Sequence, residues 1–405
     1  MLQANLFEQE TKIWERYPPI ISAAGIPGQN VNIWDIPHTI RQLAYLTHSH
    51  FRYYGKFPSV VAGQIIDEYY GRDESRPILD NFCGSGTTLV EASLRGIPSF
   101  GIDVSWLAVM ASNVKTQHVD TGKVSALLRE IETAYSPIEI DEIHPKEEKW
   151  FELSAIAGLK SIQNQLLEMD RTSEVELLIC AFLAIIRRTS KAFDAEVRPH
   201  INKDKKPRDV LPAFAKKVRE MVENQAAYQL YTDGSLKHEC FLGGAEAASQ
   251  SYSAESPALV ISHPPYLNAF NYAPVFNLEY HWGEPFEARF VDEIGYFKKE
   301  MVAHPATENN VERYFNLLRA AYQETYLMQK PGDVLAIVIG DCTRNKKLIP
   351  VLRTVTELVS QVGYAPIATN YRTTHYGTGK YAYNTRADYH DDDSVKKDGI
   401  LVFRK

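Results

Sequence analysis

Three stretches of the chain carry residue types that can do chemistry together. The first is Asp80-Asn81-Phe82-Cys83-Gly84-Ser85-Gly86-Thr87-Thr88, which follows a short apolar run and precedes a helical pattern. Glycines in such a turn let the backbone approach a ligand closely, and Thr87 or Thr88 can cap the helix. The second is Asp103, at the end of the next apolar run. An acid about 20 residues beyond the first turn is where nucleotide-binding βαβ units grip a pair of ribose hydroxyls. Neither G-x-G-x-x-G nor G-x-x-x-x-G-K-[ST] occurs, which counts against dinucleotide and triphosphate ligands. The third is Ser262-His263-Pro264-Pro265-Tyr266. Two consecutive prolines fix φ and remove two backbone donors, leaving a stiff loop whose carbonyls can accept hydrogen bonds. The aromatic that follows can stack on a planar substrate.

These stretches need elements to hold them. Apolar spacing predicts a helix over 59–70, a strand over 76–80, a helix over 87–95 ended by Gly96, and a strand over 98–103. That order is one right-handed βαβ unit of a doubly wound sheet. From about 124 to 230 the pattern is helical throughout, so we expect a helical insert in an α/β fold. Strand character returns over 258–262. A helix over 311–329 then leads into a strong strand over 333–339, followed by a helix over 349–362 and a closing strand over 399–403. Residues 1–50 read as mixed, with turns at Pro18-Pro19 and around Gly25 to Gly28, and Asp391-Asp392-Asp393 reads as an exposed turn.

Composition narrows the class. Of 405 residues 44% are hydrophobic and 23% charged, which excludes wholesale disorder. The longest apolar run, Leu177 to Ile186, is half of what a bilayer span needs, and the first residues show no signal-peptide core, so a cytoplasmic protein without a membrane partner is expected. Cys83, Cys180, Cys240 and Cys342 lie far apart with no C-x-x-C, against a zinc ribbon or a disulfide framework. His48 and His50 lack further ligands, so no metal is expected. The net charge is −7, yet residues 187–219 hold eleven Lys/Arg against four Asp/Glu. Such a patch suits a polyanion or forms a solvated helical face.

The residues carry a resemblance. Leu79 to Thr88 resembles the S-adenosylmethionine loop, D-x-F-x-G-S-G-T-T, of DNA methyltransferases that modify exocyclic amino groups. Tyr54-Gly55-Lys56-Phe57-Pro58 resembles the segment placed against the methionine end of the cofactor, and Gly101-Ile102-Asp103-Val104-Ser105 the ribose-binding strand end. The resemblance implies a Rossmann-like methyltransferase sheet with S-adenosylmethionine as cofactor. It assigns Lys56, Phe57, Pro58, Asp80, Phe82, Gly84, Ser85, Gly86, Thr87, Thr88, Asp103 and Val104 to cofactor binding. Asp80 would lie near the methionine amino group and Asp103 on the ribose. Ser262 to Tyr266 resembles the family's P-P-Y loop, so His263, Pro264, Pro265 and Tyr266 are the expected methyl-transfer residues. His263 departs from the usual Ser, Asp or Asn, and only a neutral imidazole can accept a hydrogen bond there. Gly243-Gly244-Ala245 departs from Gly-Asp-Ala, whose acid contacts the adenine ring.

The expected division is 1–115 and 236–405 for the cofactor-binding and catalytic halves, with 116–235 a helical insert for DNA recognition. Arg187, Arg188, Arg198, Lys203, Lys205, Lys206 and Arg208 are the expected nucleic-acid contacts. The resemblance implies a double-stranded DNA substrate, transfer to N4 of cytosine or N6 of adenine of a flipped base, and a restriction-modification or phage-defence setting with a partner protein. An RNA amino-methyltransferase, and a DNA-binding protein with impaired catalysis, stay open. No cysteine follows a proline, so a covalent route to cytosine carbon has no nucleophile in view. Asp341 either lines a base pocket or caps the next segment.

Overall fold

A strand covered on both faces reads as an unbroken apolar run, and Val334–Gly340 is buried along its whole length. In the computed structural model it lies in the middle of a nine-stranded sheet. The structure describes residues 22–25, 31–36, 42–55, 58–71, 75–194, 196–252, 255–268, 272–289, 307–374 and 397–405. The strands are β1 (Ser22–Gly25), β2 (Val31–Ile36), β3 (Ile78–Asp80), β4 (Ser99–Asp103), β5 (His238–Leu242), β6 (Leu259–Ser262), β7 (Val334–Gly340), a separate hairpin of β8 (Cys342–Arg344) and β9 (Lys347–Ile349), β10 (Ala365–Thr374) and β11 (Asp398–Arg404). Sheet order is β1-β2-β10-β11-β7-β6-β3-β4-β5. From β7 to β5 every pairing is parallel, and β11 runs antiparallel between β7 and β10.

Alternate residues feed opposite faces. Leu335, Ile337 and Ile339 pack with Tyr314, Leu318 and Tyr322 of the helix Glu308–Met328 and with Val351 and Val355 of the helix Val351–Val362. Val334, Ala336 and Val338 pack with Val61, Ile65 and Ile66 of the helix Ser59–Tyr69. Two covered faces make this the expected doubly wound α/β sheet.

The helical insert is also present, as helices Thr121–Ala134, Pro145–Trp150, Leu153–Glu168, Ser173–Thr189 and Val210–Gln229. It shares one core with two helices outside it. Trp106 and Met110 of the helix Trp106–Thr116 and Trp282 of the helix Asn277–Gly283 join Leu177 to Ile186 and Phe214 in a single apolar cluster.

Strands β1, β2, β5, β10 and the β8–β9 hairpin had no signal in the apolar pattern. Asn370 and Arg372 interrupt β10, and both are buried with partners from neighbouring elements: Asn370 with Asn32 of β2 and Tyr69 of the helix Ser59–Tyr69, Arg372 with Asp398 of β11. Pro18, Pro19, residues 26–28 and the run 391–393 lie outside the described residues. Among the described residues no helix is long and apolar enough to cross a membrane.

Candidate active site at the strand ends

In an open parallel sheet the strand order reverses where consecutive crossovers leave in opposite directions, and the loops there part to form a crevice. Here β3 has β4 on one side and β6 on the other, so the Asp80–Thr88 loop and the His263–Tyr266 loop leave neighbouring strands. A cavity open to solvent lies at this point. Its walls come from the ends of four adjacent strands: Asn81 to Ser85 and Thr87 after β3, Asp103 to Ser105 after β4, Gly243, Ala245 and Glu246 after β5, and His263 and Pro265 after β6. Tyr53, Gly55 and Tyr272 close one side.

The cofactor-loop residues divide by what they do. Gly84 and Gly86 both have positive φ, and a Cβ on Gly86 would fall 2.3 Å from Ser112 Oγ, so the turn passes where no side chain fits. The Gly84 N–H donates to Asp103 Oδ2 at 2.8 Å and the Ser105 N–H to Asp103 Oδ1 at 2.9 Å. The aspartate at the mouth of β4 therefore orders the β3 loop while lining the cavity. Burial raises its carboxyl to about 6, against the pull of those backbone donors. Phe82, Ser85 and Val104 also line the cavity.

Asp80 is not on the cavity wall. It lies buried behind the loop, where Oδ1 accepts from the Phe82 N–H at 3.1 Å and Oδ2 from the Thr88 hydroxyl at 2.5 Å. Burial first, and the Asp103 charge to a lesser degree, push it up to about 7. Its place is that of a brace between strand and helix. Pro58 is buried at the N-cap of the helix Ser59–Tyr69, away from the cavity wall, and Lys56 and Phe57 lie outside the described residues.

At the other loop, His263 lines the cavity and its pKa is lowered to about 3, by burial and then by the Arg372 guanidinium. With that shift the ring is held neutral at ordinary pH, so one of its nitrogens can accept a hydrogen bond. Its ring meets the edge of Tyr266 at 5.3 Å between centroids. Pro264 is buried beneath. Tyr266 is half-buried, with its hydroxyl directed at β10 and β11 rather than into the cavity.

Several lining residues carry no signal in the motifs. Tyr53 precedes the Tyr54-Gly55 pair and stacks with Tyr272 (5.8 Å) and Phe276 (5.0 Å). Glu246 is the more informative case. A Cβ built on Gly244 would lie 2.3 Å from Glu246 Oε1, so the glutamate carboxylate folds into the space that a side chain at 244 would fill. A carboxylate thus stands beside position 244 although the residue there is glycine. Asp341 proves to be a cap: Oδ1 accepts from the Leu352 N–H and Oδ2 from the Lys397 N–H. His48 and His50 are buried and directed apart, to Glu91 and Gln225. Among the described residues no three ligating side chains gather as a metal site would require.

The basic stretch does not behave as one surface. Arg187 is buried; its guanidinium donates to the Tyr54 hydroxyl and to the carbonyls of Glu196, Val197 and Val275, and lies 3.7 Å from Glu279. The Lys205 ammonium donates to the carbonyls of Arg187 and Ala192 and to Asp194. Both groups are thus engaged by acceptors of the protein itself, whereas a phosphate contact needs donors presented to solvent. Arg198, Lys203, Lys206 and Arg208 are exposed and Arg188 is half-buried.

No family model matches the chain. Among curated proteins, the type II methyltransferase M.BsoBI of Geobacillus stearothermophilus is 24% identical over 409 residues, covering 79% of this chain and 79% of that protein. The type II methyltransferase M.MvaI of Kocuria varians is 25% identical over 171 residues, 38% of this chain and 36% of that protein. The type II methyltransferase M.MjaII of Methanocaldococcus jannaschii is 31% identical over 98 residues, 24% of this chain and 18% of that protein. The resemblance carried by the motif residues is thus matched, over four-fifths of the chain in the first case, by relatives named as methyltransferases.

Proposed function

We propose that this chain is an S-adenosylmethionine-dependent DNA methyltransferase that modifies an exocyclic amino group, N4 of cytosine or N6 of adenine, in a restriction-modification or phage-defence setting. One observation supports it above the rest. The D-x-F-x-G-S-G-T-T turn and the H-P-P-Y turn, some 180 residues apart in sequence, leave neighbouring strands into a single cavity at the switch point of the sheet.

The cavity suits the cofactor on two counts. Gly84 leaves bare backbone at the wall beside Tyr53, and two acids, Asp103 and Glu246, line it at adjacent strand ends. Asp103 would accept from the ribose hydroxyls, Glu246 would take the contact that the family gives to the acid at 244, and Phe82 and Val104 would supply apolar walls. When bound, S-adenosylmethionine supplies an electrophilic methyl group on sulfonium.

The remaining work falls to the H-P-P-Y loop. The lone pair of a base amino group is delocalised into the ring, so acceptors must hold the N–H groups and turn the lone pair outward. A neutral imidazole at His263 offers one ring nitrogen able to accept, and the proline-stiffened loop holds its carbonyls in place. Tyr266 would stack on the flipped base and keep it flat. The transferred methyl leaves the nitrogen with an extra proton, which passes to solvent or to a loop acceptor.

The test is direct. Purified protein is incubated with unmodified duplex DNA and labelled S-adenosylmethionine, and the digested nucleosides are resolved by mass spectrometry. N4-methylcytosine or N6-methyladenine is expected. Label entering tRNA or rRNA and not DNA, or no label entering any nucleic acid, would overturn the proposal.

A further inference from the structure

Tyr266 is expected to work through its ring, yet its hydroxyl is the better-held end. Arg372 Nη2 donates to the Tyr266 oxygen at 2.7 Å, and the Tyr266 hydroxyl donates to Asp398 Oδ1 at 3.1 Å. The two partners are themselves locked as a fork: Arg372 Nε donates to Asp398 Oδ1 at 2.8 Å and Nη2 to Oδ2 at 3.0 Å. Bidentate guanidinium–carboxylate pairs are directional as well as strong, and this one is 6% exposed on the Arg372 side chain and 13% on that of Asp398.

The sheet explains how three distant residues meet. Gly340 ends β7, and Asp398 opens β11 directly opposite it. Arg372 follows Tyr371 on β10, the partner of Gly399 on β11. Three adjacent strands thus build one socket beside β6, whose loop carries Tyr266. Gly340 is required as the floor, because a Cβ there would sit 2.9 Å from the Tyr266 ring. The His263 ring packs edge-on against the same aromatic.

We infer that Arg372 and Asp398 are positioning residues for methyl transfer: their forked ion pair grips the Tyr266 hydroxyl and, over Gly340, sets the ring and the His263–Tyr266 loop in a fixed attitude beside the cavity. This rests on the function proposed above. An aromatic ring has two side-chain torsions: gripping the hydroxyl, which lies on the axis of the second, holds the first, and the close approach of Gly340 and the His263 ring restrict the second. A misplacement of about an ångström at a reacting group is enough to cost about a hundredfold in rate, so a fixed ring is a catalytic asset although neither strand residue touches the base.

The experiment uses the full chain with unmodified plasmid DNA and labelled S-adenosylmethionine. Tyr266→Phe keeps the stacking ring, leaves the ion pair intact and removes only the grip. We expect kcat to fall about tenfold or more, within what a displaced reacting group costs, with the KM for cofactor near wild type and the chain still folded at the assay temperature. Arg372→Lys, which keeps the charge and loses the fork, should lower kcat likewise. In an Arg372→Lys background, Tyr266→Phe should then add less than about twofold, because both remove one interaction. Should Arg372→Lys fail to fold, Tyr266→Phe decides alone. Wild-type kcat in Tyr266→Phe, or effects of the two substitutions that multiply, overturns the inference and leaves the proposed function standing. A wild-type protein that transfers no methyl group to DNA takes both.

Discussion

The strand-end cavity and the helical insert both stand out by residue type, and the structure treats them differently. At the strand ends, Asp103, Phe82, Gly84, Ser85 and His263 all reach one cavity. In the insert, a run of cations that looks uniform in sequence divides, with Arg187 and Lys205 turned inward onto carbonyls and carboxylates and Arg198, Lys203, Lys206 and Arg208 left in water. A loop leaving the carboxyl end of a parallel strand has to emerge at the sheet's edge, so its side chains are biased toward a ligand whatever their type. A charge following a buried helix has no such guarantee. Arg187 comes one residue after the apolar run ends, and the helix carries it inside.

The largest effect that would break this contrast concerns Arg187. If it is structural, Arg187→Met leaves buried carbonyls and Glu279 without a partner, and the protein should lose about 3–5 kcal/mol of stability in urea unfolding. Unchanged stability together with weakened DNA binding would put Arg187 back among the phosphate contacts. The exposed set should behave oppositely. Replacing Arg198, Lys203, Lys206 and Arg208 with serine should leave stability and cofactor affinity unaltered while weakening DNA binding. Every phosphate that is no longer neutralised should flatten the plot of log affinity against log salt by about 0.9. Lys205→Ala should do the reverse, lowering stability with the slope intact. Equal slopes for the fourfold variant and the wild type would mean that the basic stretch only solubilises the insert.

On the cavity side, Asp103→Ala should weaken S-adenosylmethionine binding by about 1.5–3 kcal/mol, the loss expected for charge-assisted hydrogen bonds. The chain should stay folded, because the Gly84 and Ser105 N–H groups then face a solvent-filled cavity. Calorimetry giving wild-type affinity in a folded variant would remove Asp103 from the cofactor site.

What was legible followed from local physics. The strand Val334–Gly340 declares itself because burial on both faces demands continuous apolar residues, and the βαβ unit from Ile78 to Asp103 because a glycine turn and the helix stop at Gly96 bracket its short strands. The His263–Tyr266 loop was legible because Pro-Pro admits few conformations. What was not legible depends on partners distant in sequence. β10 reads as a polar loop until Asn32 and Asp398 are beside it. Glu246 reads as an ordinary surface acid until the turn at Gly244 swings it over the cavity. Asp80 is legible as part of the loop, but its role as a brace follows from the Thr88 hydroxyl meeting it within hydrogen-bond reach, which no spacing rule encodes.

The smallest effect separates the acids of the cavity from its histidine by pH. Burial raises Asp103 from 3.8 to about 6 and Asp80 from 3.8 to about 7, so the cofactor-free folded chain holds protons that the unfolded chain has released. The stability from this source is full below about pH 3.8 and is lost as pH rises through about 6 to 7. Cofactor binding has the opposite sign. Ribose hydroxyls need the Asp103 carboxylate, so affinity should decline as pH falls through about 6, by about twofold when half the groups are protonated. His263 is lowered from 6.5 to about 3, so its contribution to stability is present above 6.5 and is lost progressively as pH falls from 6.5 to about 3, while the folded ring stays neutral across this whole window. At saturating cofactor the methyl-transfer rate should therefore show no acid limb near 6.5, while calorimetry shows affinity slipping below about pH 6. A rate at saturating cofactor that halves near pH 6.5 would mean that the imidazole takes up a proton during turnover, and His263 would then have to act as something other than a hydrogen-bond acceptor.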